Sequence, residues 1–359
     1  MMERAMIKHQ SSKGPNTSFV AVNCPFPVQF DVYWGCSHKC KYCFANKRGG
    51  FNSGESRVES DDGIMRYGTA RQLADWIKGK RSKSEAWCDW NIPIKFGTNS
   101  DPFQPCELKE RATLKCLKVL AKTGYPFILI SKGATIAARP AYLAVLKDCN
   151  VLFHLSLCCA RHDALEKGAP TYEERLSALH KLSTVCKRTV ARWQPYFYEF
   201  HKDAMREIPR VKDAGAYGIL VQGAYLQKPL GLCNEKQGAK FFYPDKYVRR
   251  WTQDIKRECH KNGLVFLTSD MYAESDEIPC CGVMDLPDFE PSRCNSLYRI
   301  LAPEKYKPTC GQCAKGSALG ILNFARRKKS YKQICKMSFR EVVEDYADNP
   351  ETIAWTERG

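Results

Sequence analysis

The sequence lacks any long hydrophobic run. Even its longest apolar runs are short, such as residues 126–130, far below the roughly 20 residues that span a bilayer, so no membrane partner is expected. Residues 1–16 are polar and lack the apolar segment of a secretory signal, so a cytoplasmic location is expected. In that reducing compartment a disulfide framework is not expected. The 19 cysteines are then structural thiols, metal ligands or reactive groups. There is no internal repeat and no low-complexity segment, and no glycine-rich dinucleotide turn follows the first predicted strand. Negative charge is scarce: 39 Asp+Glu stand against 56 Lys+Arg, a formal charge of +17. That balance attracts polyanions such as DNA or RNA, although a solvated basic surface also accounts for it.

What is present is a regular alternation. Strand patterns at 28–34, 92–98, 126–131, 151–158, 190–197 and 217–222 alternate with helix patterns at 69–80, 108–122, 139–147, 171–186, 203–212 and 245–261. A last strand pattern covers 264–268, and Thr171 with Glu174 has the spacing of a capping box. Strands alternating with helices imply a parallel sheet. Six units and a further strand predict an α/β fold, a partial or complete barrel of the TIM type, with its chemistry at the C-terminal ends of the strands. Three segments are expected: an N-terminal extension over 1–26, the barrel over 27–270, and a Cys-rich C-terminal region over 271–359.

The first chemical constellation is WGCSHKCKYCFA, in which Cys36, Cys40 and Cys43 follow directly on the first strand. Three thiolates within eight residues can fold around one inorganic cluster. They satisfy three of the four irons of a [4Fe–4S] cluster and leave one open. A zinc loop, or three unrelated thiols, are the competing readings.

This triple, with an aromatic residue before the third cysteine, resembles the radical S-adenosylmethionine superfamily. A narrower resemblance, to its spore photoproduct lyase-like subgroup, rests on three runs in order: YWGCSHKCKYCFA, GTNSDPFQPCE over 97–107 and LEKGAPTYEERLSALHKL over 165–182. It covers residues 30–196 and fades beyond 225. The resemblance implies an α/β fold, a partial (β/α)6 TIM-like barrel. It also implies a [4Fe–4S] cluster whose open iron is chelated by S-adenosylmethionine, and a one-electron donor such as a flavodoxin or ferredoxin. Reductive cleavage would then give a 5′-deoxyadenosyl radical that takes a hydrogen atom from a substrate. One departure stands out. The lyase's hydrogen-donating cysteine corresponds here to Thr98, with Cys106 a few residues on, which puts lesion repair by the same route in doubt.

Around the cofactor, the strand ends supply candidates. Thr98, Asn99, Ser100 and Asp101 end the second strand, and Ser131 and Lys132 end the third. Ser156 and Gln194 interrupt the apolar runs of the fourth and fifth, and Tyr42 could flank the adenine. Their plain alternatives are a polar turn, a solvated lysine and simple packing. Cys106, Cys158 and Cys159 are the candidate hydrogen-donating thiols, with a buried inert thiol as the alternative.

Beyond the barrel, Cys280, Cys281, Cys294, Cys310 and Cys313 fall within 34 residues of weak apolar periodicity. Four of them, Cys281, Cys294, Cys310 and Cys313, form a candidate site for a second [4Fe–4S] cluster or zinc, because metal binding supplies folding energy where a core does not. A basic run over 326–336, and Arg249, Arg250, Lys256 and Arg257 on the helix before the last strand, could meet phosphates. The expected function is therefore a radical enzyme acting on a nucleic acid or nucleotide. The alternatives are radical modification of a peptide or protein side chain, and a non-catalytic metal-containing nucleic-acid-binding protein.

Overall fold

In the computed structural model the described residues are 8–9, 14–17, 26, 28–43, 65–66, 68–80, 93–226, 228–237, 240–268, 275–277 and 280–289. Seven strands lie side by side in chain order: β1 (Val28–Phe30), β2 (Ile94–Phe96), β3 (Phe127–Ser131), β4 (Val151–Ser156), β5 (Arg188–Tyr196), β6 (Gly218–Gly223) and β7 (Val265–Thr268). Every neighbouring pair is parallel. The short strand Asn16–Thr17 extends the β1 edge in the antiparallel sense. A doubly wound sheet reverses its strand order at a switch point. This sheet does not, so its order is that of a (β/α) barrel, open between β7 and Asn16–Thr17 among the described residues.

The crossovers carry helices α1 (Ala70–Ile77), α2 (Ala112–Thr123), α3 (Pro140–Leu146), α4 (Tyr172–Ser183), α5 (His201–Asp213) and α6 (Asp245–Lys261). Helix α4 begins with the expected capping box, Thr171 accepting from Glu174 N while the Glu174 carboxylate accepts from Thr171 N. Among the described residues no helix is long and apolar enough to cross a membrane.

Side chains along each strand alternate between two faces. On β4, Val151, Phe153 and Leu155 join the large core under the helices. Leu152 belongs to a second cluster with Phe26, Ile128, Val190, Leu220, Leu267, Cys281, Val283 and Phe289. Residues 280–289 therefore pack against the inner face of the sheet, although they lie past the expected end of the barrel. Arg188 fastens them, donating to Gly282 O at 2.9 Å and Met284 O at 2.8 Å.

Two elements differ from expectation. The first strand is not continuous over 28–34. It breaks after Phe30, and Tyr33–Trp34 pairs with Met65–Arg66 in a separate small sheet. The Asp31 carboxylate explains the break, because it turns to accept from Asn99 N at 3.0 Å and Asn99 Nδ2 at 2.8 Å, and so ties this corner to the end of β2. The helix expected over 108–122 is also split. A short helix, Glu107–Glu110, ends at Arg111 with φ of 49°, and α2 starts afresh. The buried Glu107 carboxylate accepts from Thr113 N at 2.9 Å and Leu114 N at 3.0 Å, which satisfies the free amides of the new helix. Tyr33 and Tyr142 donate to the same carboxylate, at 2.5 and 2.8 Å.

Candidate functional site

The three-cysteine loop leaves the Tyr33–Trp34 strand through Gly35, whose φ of 84° favours glycine. Two distant segments hold the loop. From the segment after β2, Gln104 Oε1 accepts from Ser37 N at 3.0 Å while its Nε2 donates to Gly35 O at 3.1 Å, so this buried side chain brackets Cys36. From the segment before α4, Leu165 O accepts from Lys41 N at 2.9 Å. Gly168 exchanges two bonds with His38: its N donates to His38 O at 3.0 Å, and its O accepts from His38 Nδ1 at 2.8 Å. A Cβ on Gly168 would lie 2.4 Å from Ser37 O, so only glycine lets the two backbones pass. The three sequence runs that carried the resemblance thus meet at one place.

Asp101 is the hub of this contact. Its carboxylate pairs with His38 Nε2 at 3.3 Å and accepts from Ser131 Oγ at 2.7 Å, Lys132 N at 2.6 Å and Phe103 N at 2.9 Å. Burial alone would raise its pKa, but the charge and hydrogen bonds of His38, with those of Lys132 and Ser131, hold it well below the usual carboxylate range. Both oxygens are occupied by the chain's own groups. Asp101 and Ser131 therefore act here as braces of the loop.

A second polar knot lies beside the last cysteine. Tyr42 OH donates to Glu166, which pairs with Arg175 Nη1 at 2.6 Å and Lys132 Nζ at 3.9 Å. The Lys132 ammonium also stands 5.5 Å from the centre of the Tyr42 ring. Arg175, 1% exposed, donates to Ser156 O at 2.9 Å and pairs with Asp163 at 2.8 Å. Burial would raise the Glu166 carboxyl, and the Arg175 and Lys132 charges lower it below its ordinary value.

Of the other expected cofactor residues, Thr98 donates to Gln29 Oε1 and Asp31 Oδ2, both at 3.1 Å, and Ser100 Oγ donates to Tyr33 O at 2.5 Å. Asn99 is held by Asp31, leaving Thr98 and Asn99 half-buried at the strand end. Gln194 donates across the sheet to Gln222. Cys106 caps the short Glu107–Glu110 helix, and burial together with Glu107 pushes its thiol up to about 12. Cys281 is buried in the inner apolar cluster, while Cys294, Cys310, Cys313 and the basic run over 326–336 lie outside the described residues.

The loop's donor set suits an iron–sulfur cluster. Cys36, Cys40 and Cys43 are all half-buried free thiols. Burial raises Cys36 and pushes Cys40 up to about 12, so a cation is needed to hold them as thiolates. The Ser37 hydroxyl is buried in the same loop without a hydrogen-bond partner, ready to donate to a sulfide or thiolate. Among the described residues, Cys158, Cys159 and His162 are the group of three whose ligand atoms lie within 4.8 Å of one another. The loop cysteines do not form such a group. One ion holding thiolates at about 2.3 Å keeps them within about 4.6 Å of each other. The wider loop suits a multi-iron cluster, and the residues fit it.

The sequence reading did not single out four of these groups: His38, Gln104, Glu166 and Arg175. All four lie inside the recognised runs, where a charged or amide side chain was the available signal.

No protein-family model matches the chain. Uncharacterized proteins of Mycobacterium tuberculosis (strain ATCC 25618 / H37Rv) and Mycobacterium bovis are 25% identical over 230 residues, 62% of this chain and 64% of theirs. The match thus spans less than two thirds of those relatives. Among solved structures, Streptococcus suis SuiB bound to the precursor peptide SuiA is similar with a TM-score of 0.46 at 14% identity, over 68% of this chain and 49% of that one. Native anSMEcpe with bound AdoMet and the Cp18Cys peptide is similar with a TM-score of 0.43 at 12% identity, over 92% and 98% of the two chains.

Proposed function

We propose that this chain is a radical S-adenosylmethionine enzyme of the kind the lyase-like runs suggested. One observation carries the reading: the loop of Cys36, Cys40 and Cys43 stands at the C-terminal side of a sequentially ordered parallel sheet, braced by Gln104, Asp101 and Gly168. Cys36, Cys40 and Cys43 would hold a [4Fe–4S] cluster, which would supply the electron for cleavage of S-adenosylmethionine. The chain's own residues provide the rest. Gln104 and His38 fix the loop backbone that carries the three thiols. Thr98 and Asn99, half-buried at the end of β2, present short polar groups to the cofactor's polar atoms. Tyr42, clamped by Glu166 and by Lys132 beside its ring, gives a fixed aromatic wall next to Cys43. Buried packing of Phe197 against Tyr42 helps keep water from that wall.

For the substrate, a peptide or protein side chain now stands ahead of a nucleic acid. The basic stretch on α6 is partly neutralised, since Lys256 pairs with Asp276 at 3.2 Å and Arg257 pairs with Asp254. This removes part of the surface that favoured a polyanion. The net charge of +17 still supports the nucleic-acid reading.

The test is anaerobic reconstitution with iron and sulfide, followed by S-adenosylmethionine and dithionite. 5′-Deoxyadenosine is expected from the wild-type chain and not from Cys36→Ala. Equal product from both, or none from either with iron bound, removes the reading. Salt-sensitive oligonucleotide binding would return the nucleic-acid substrate to first place.

A further inference from the structure

Cys158 and Cys159 at the end of β4 were expected as candidate thiol hydrogen donors, and their geometry with His162 points elsewhere. We infer that Cys158, Cys159 and His162 form a zinc site, distinct from the three-cysteine loop. It stands whether or not the loop holds iron.

The sequence C-C-A-R-H places two thiols and an imidazole within five residues. The 3-10 turn Ala160–Leu165 folds the imidazole back, with His162 N donating to Cys159 O at 3.0 Å. The three ligand atoms then lie within 4.8 Å of one another. Cys159 Sγ is 3.6 Å from His162 Nδ1. A tetrahedral zinc ion with sulfur at about 2.3 Å and nitrogen at about 2.0–2.1 Å separates those atoms by about 3.6 Å.

The other ring nitrogen is an independent sign. His162 Nε2 faces Pro195 O at 3.3 Å. A ligating histidine usually donates its second N–H to a carbonyl or carboxylate, which fixes the tautomer and leaves the first nitrogen free for the metal. Charge favours a divalent ion, and a tetrahedral site of sulfur and nitrogen suits zinc among these. The three residues are 4%, 1% and 3% exposed, and Phe197 and Phe200 lie against the imidazole at 5.7 and 5.2 Å. Two thiolates and a neutral imidazole balance a divalent cation, whereas monovalent copper would leave a buried net charge. Three protein ligands leave a fourth position for water or a substrate group, the pattern of zinc sites that take part in chemistry.

The experiment is zinc content and zinc-edge X-ray absorption on full-length protein purified anaerobically with added Zn2+. Wild-type protein is expected to hold one more zinc per chain than Cys159→Ser or His162→Ala. That difference should persist in a Cys310→Ser background. The wild-type spectrum should contain two sulfur scatterers at about 2.3 Å with nitrogen or oxygen at about 2.0 Å for this zinc. Cys158→His, which keeps a ligand, should retain it. Equal zinc in wild type and the single variants, or a shell of sulfur alone, would overturn the site and leave a plain thiol–imidazole hydrogen bond. If the single variants do not fold, the wild-type shell decides by itself.

Discussion

At the N-terminal ends of the strands the inner face of the sheet is apolar. Ile128, Leu152, Val190, Leu220 and Leu267 are closed over by Cys281, Val283 and Phe289. At the C-terminal ends of the same strands stand Ser131, Ser156 and Gln194, and beyond them Asp101, His38, Glu166 and Arg175, buried and paired. One end is closed by non-directional packing, which tolerates exchange among groups of similar volume. The other end is closed by directional contacts that fail when any partner is removed. Such a polar knot adds little net stability over an apolar one. It does fix the loop of Cys36, Cys40 and Cys43 in place, which apolar packing could not do as closely. In barrels of this order the C-terminal ends carry chemistry and the opposite ends carry stability. The contrast predicts that substitutions at the two ends separate these properties.

The largest effect is expected at the polar end. Glu166→Ala leaves the Arg175 guanidinium, 1% exposed, without its closest charged partner at 2.6 Å. Removing one member of a buried pair costs about 3–5 kcal/mol. Chemical denaturation should show that loss, and anaerobic reconstitution should show reduced iron, since Tyr42 loses its anchor beside Cys43. Full iron loading together with wild-type stability would break the proposed contrast. At the apolar end, Leu267→Ala opens a cavity in a fully buried site and should cost about 3 kcal/mol. Here the folded fraction should keep its iron and its yield of 5′-deoxyadenosine.

A third prediction tests the boundary between the two ends through pH. His154 lies on the inner face, donating from Nε2 to Cys281 O at 2.9 Å while Arg192 donates to its Nδ1 at 3.3 Å. Burial first, and the Arg192 charge second, lower its pKa to about 3. In the unfolded chain an ordinary histidine titrates near 6.5. Between those values the unfolded state binds a proton that the folded state refuses, so stability is lost as pH falls from about 6.5 toward 3. The slope is about 1.4 kcal/mol per pH unit, or about 2 kcal/mol by pH 5. Urea melts at pH 7 and pH 5 should show it, and His154→Gln should lose that component. An unchanged slope in the variant would mean that residues 280–289 do not seal His154 from water.

Much of the frame was legible in the sequence. The alternation of apolar strands with 3.6-period helices gave the parallel sheet, and the Thr171–Glu174 spacing gave the start of α4, because these signals are local. The breaks were not legible, because their causes are long-range. Glu107 reads as one acidic residue in a helical run. Only folding brings Tyr33, 74 positions away, onto its carboxylate and turns it into the start of a second helix. The same holds for the loop braces. Gln104 reaches back 69 residues to Gly35, and His38 reaches forward 130 to Gly168. Cys158 and Cys159 stood out in the sequence as thiols, but His162 did not, because its turn back onto Cys159 and the meeting of its second ring nitrogen with Pro195 O appear only on folding.

The smallest change should be the most informative about the polar end. Gly168→Ala adds one methyl group. Its carbon would lie 2.4 Å from Ser37 O and 2.9 Å from His38 Cα, both backbone atoms that cannot rotate aside. The loop or the 165–168 turn must shift. Overpacking of this size costs about 1–3 kcal/mol, and the lower part of that range is expected because the turn can move as a unit. Function should suffer more than stability. A shift of the turn lengthens the bonds from His38 to Gly168 and from Lys41 to Leu165, and these set the spacing of Cys36, Cys40 and Cys43. Iron per chain and 5′-deoxyadenosine yield should therefore fall by an order of magnitude or more, while the melting temperature drops by only a few degrees. The opposite pattern, a large loss of stability with normal iron in the surviving fold, would show that Gly168 merely closes a turn. The polar end would then be a second core and not the frame of a site.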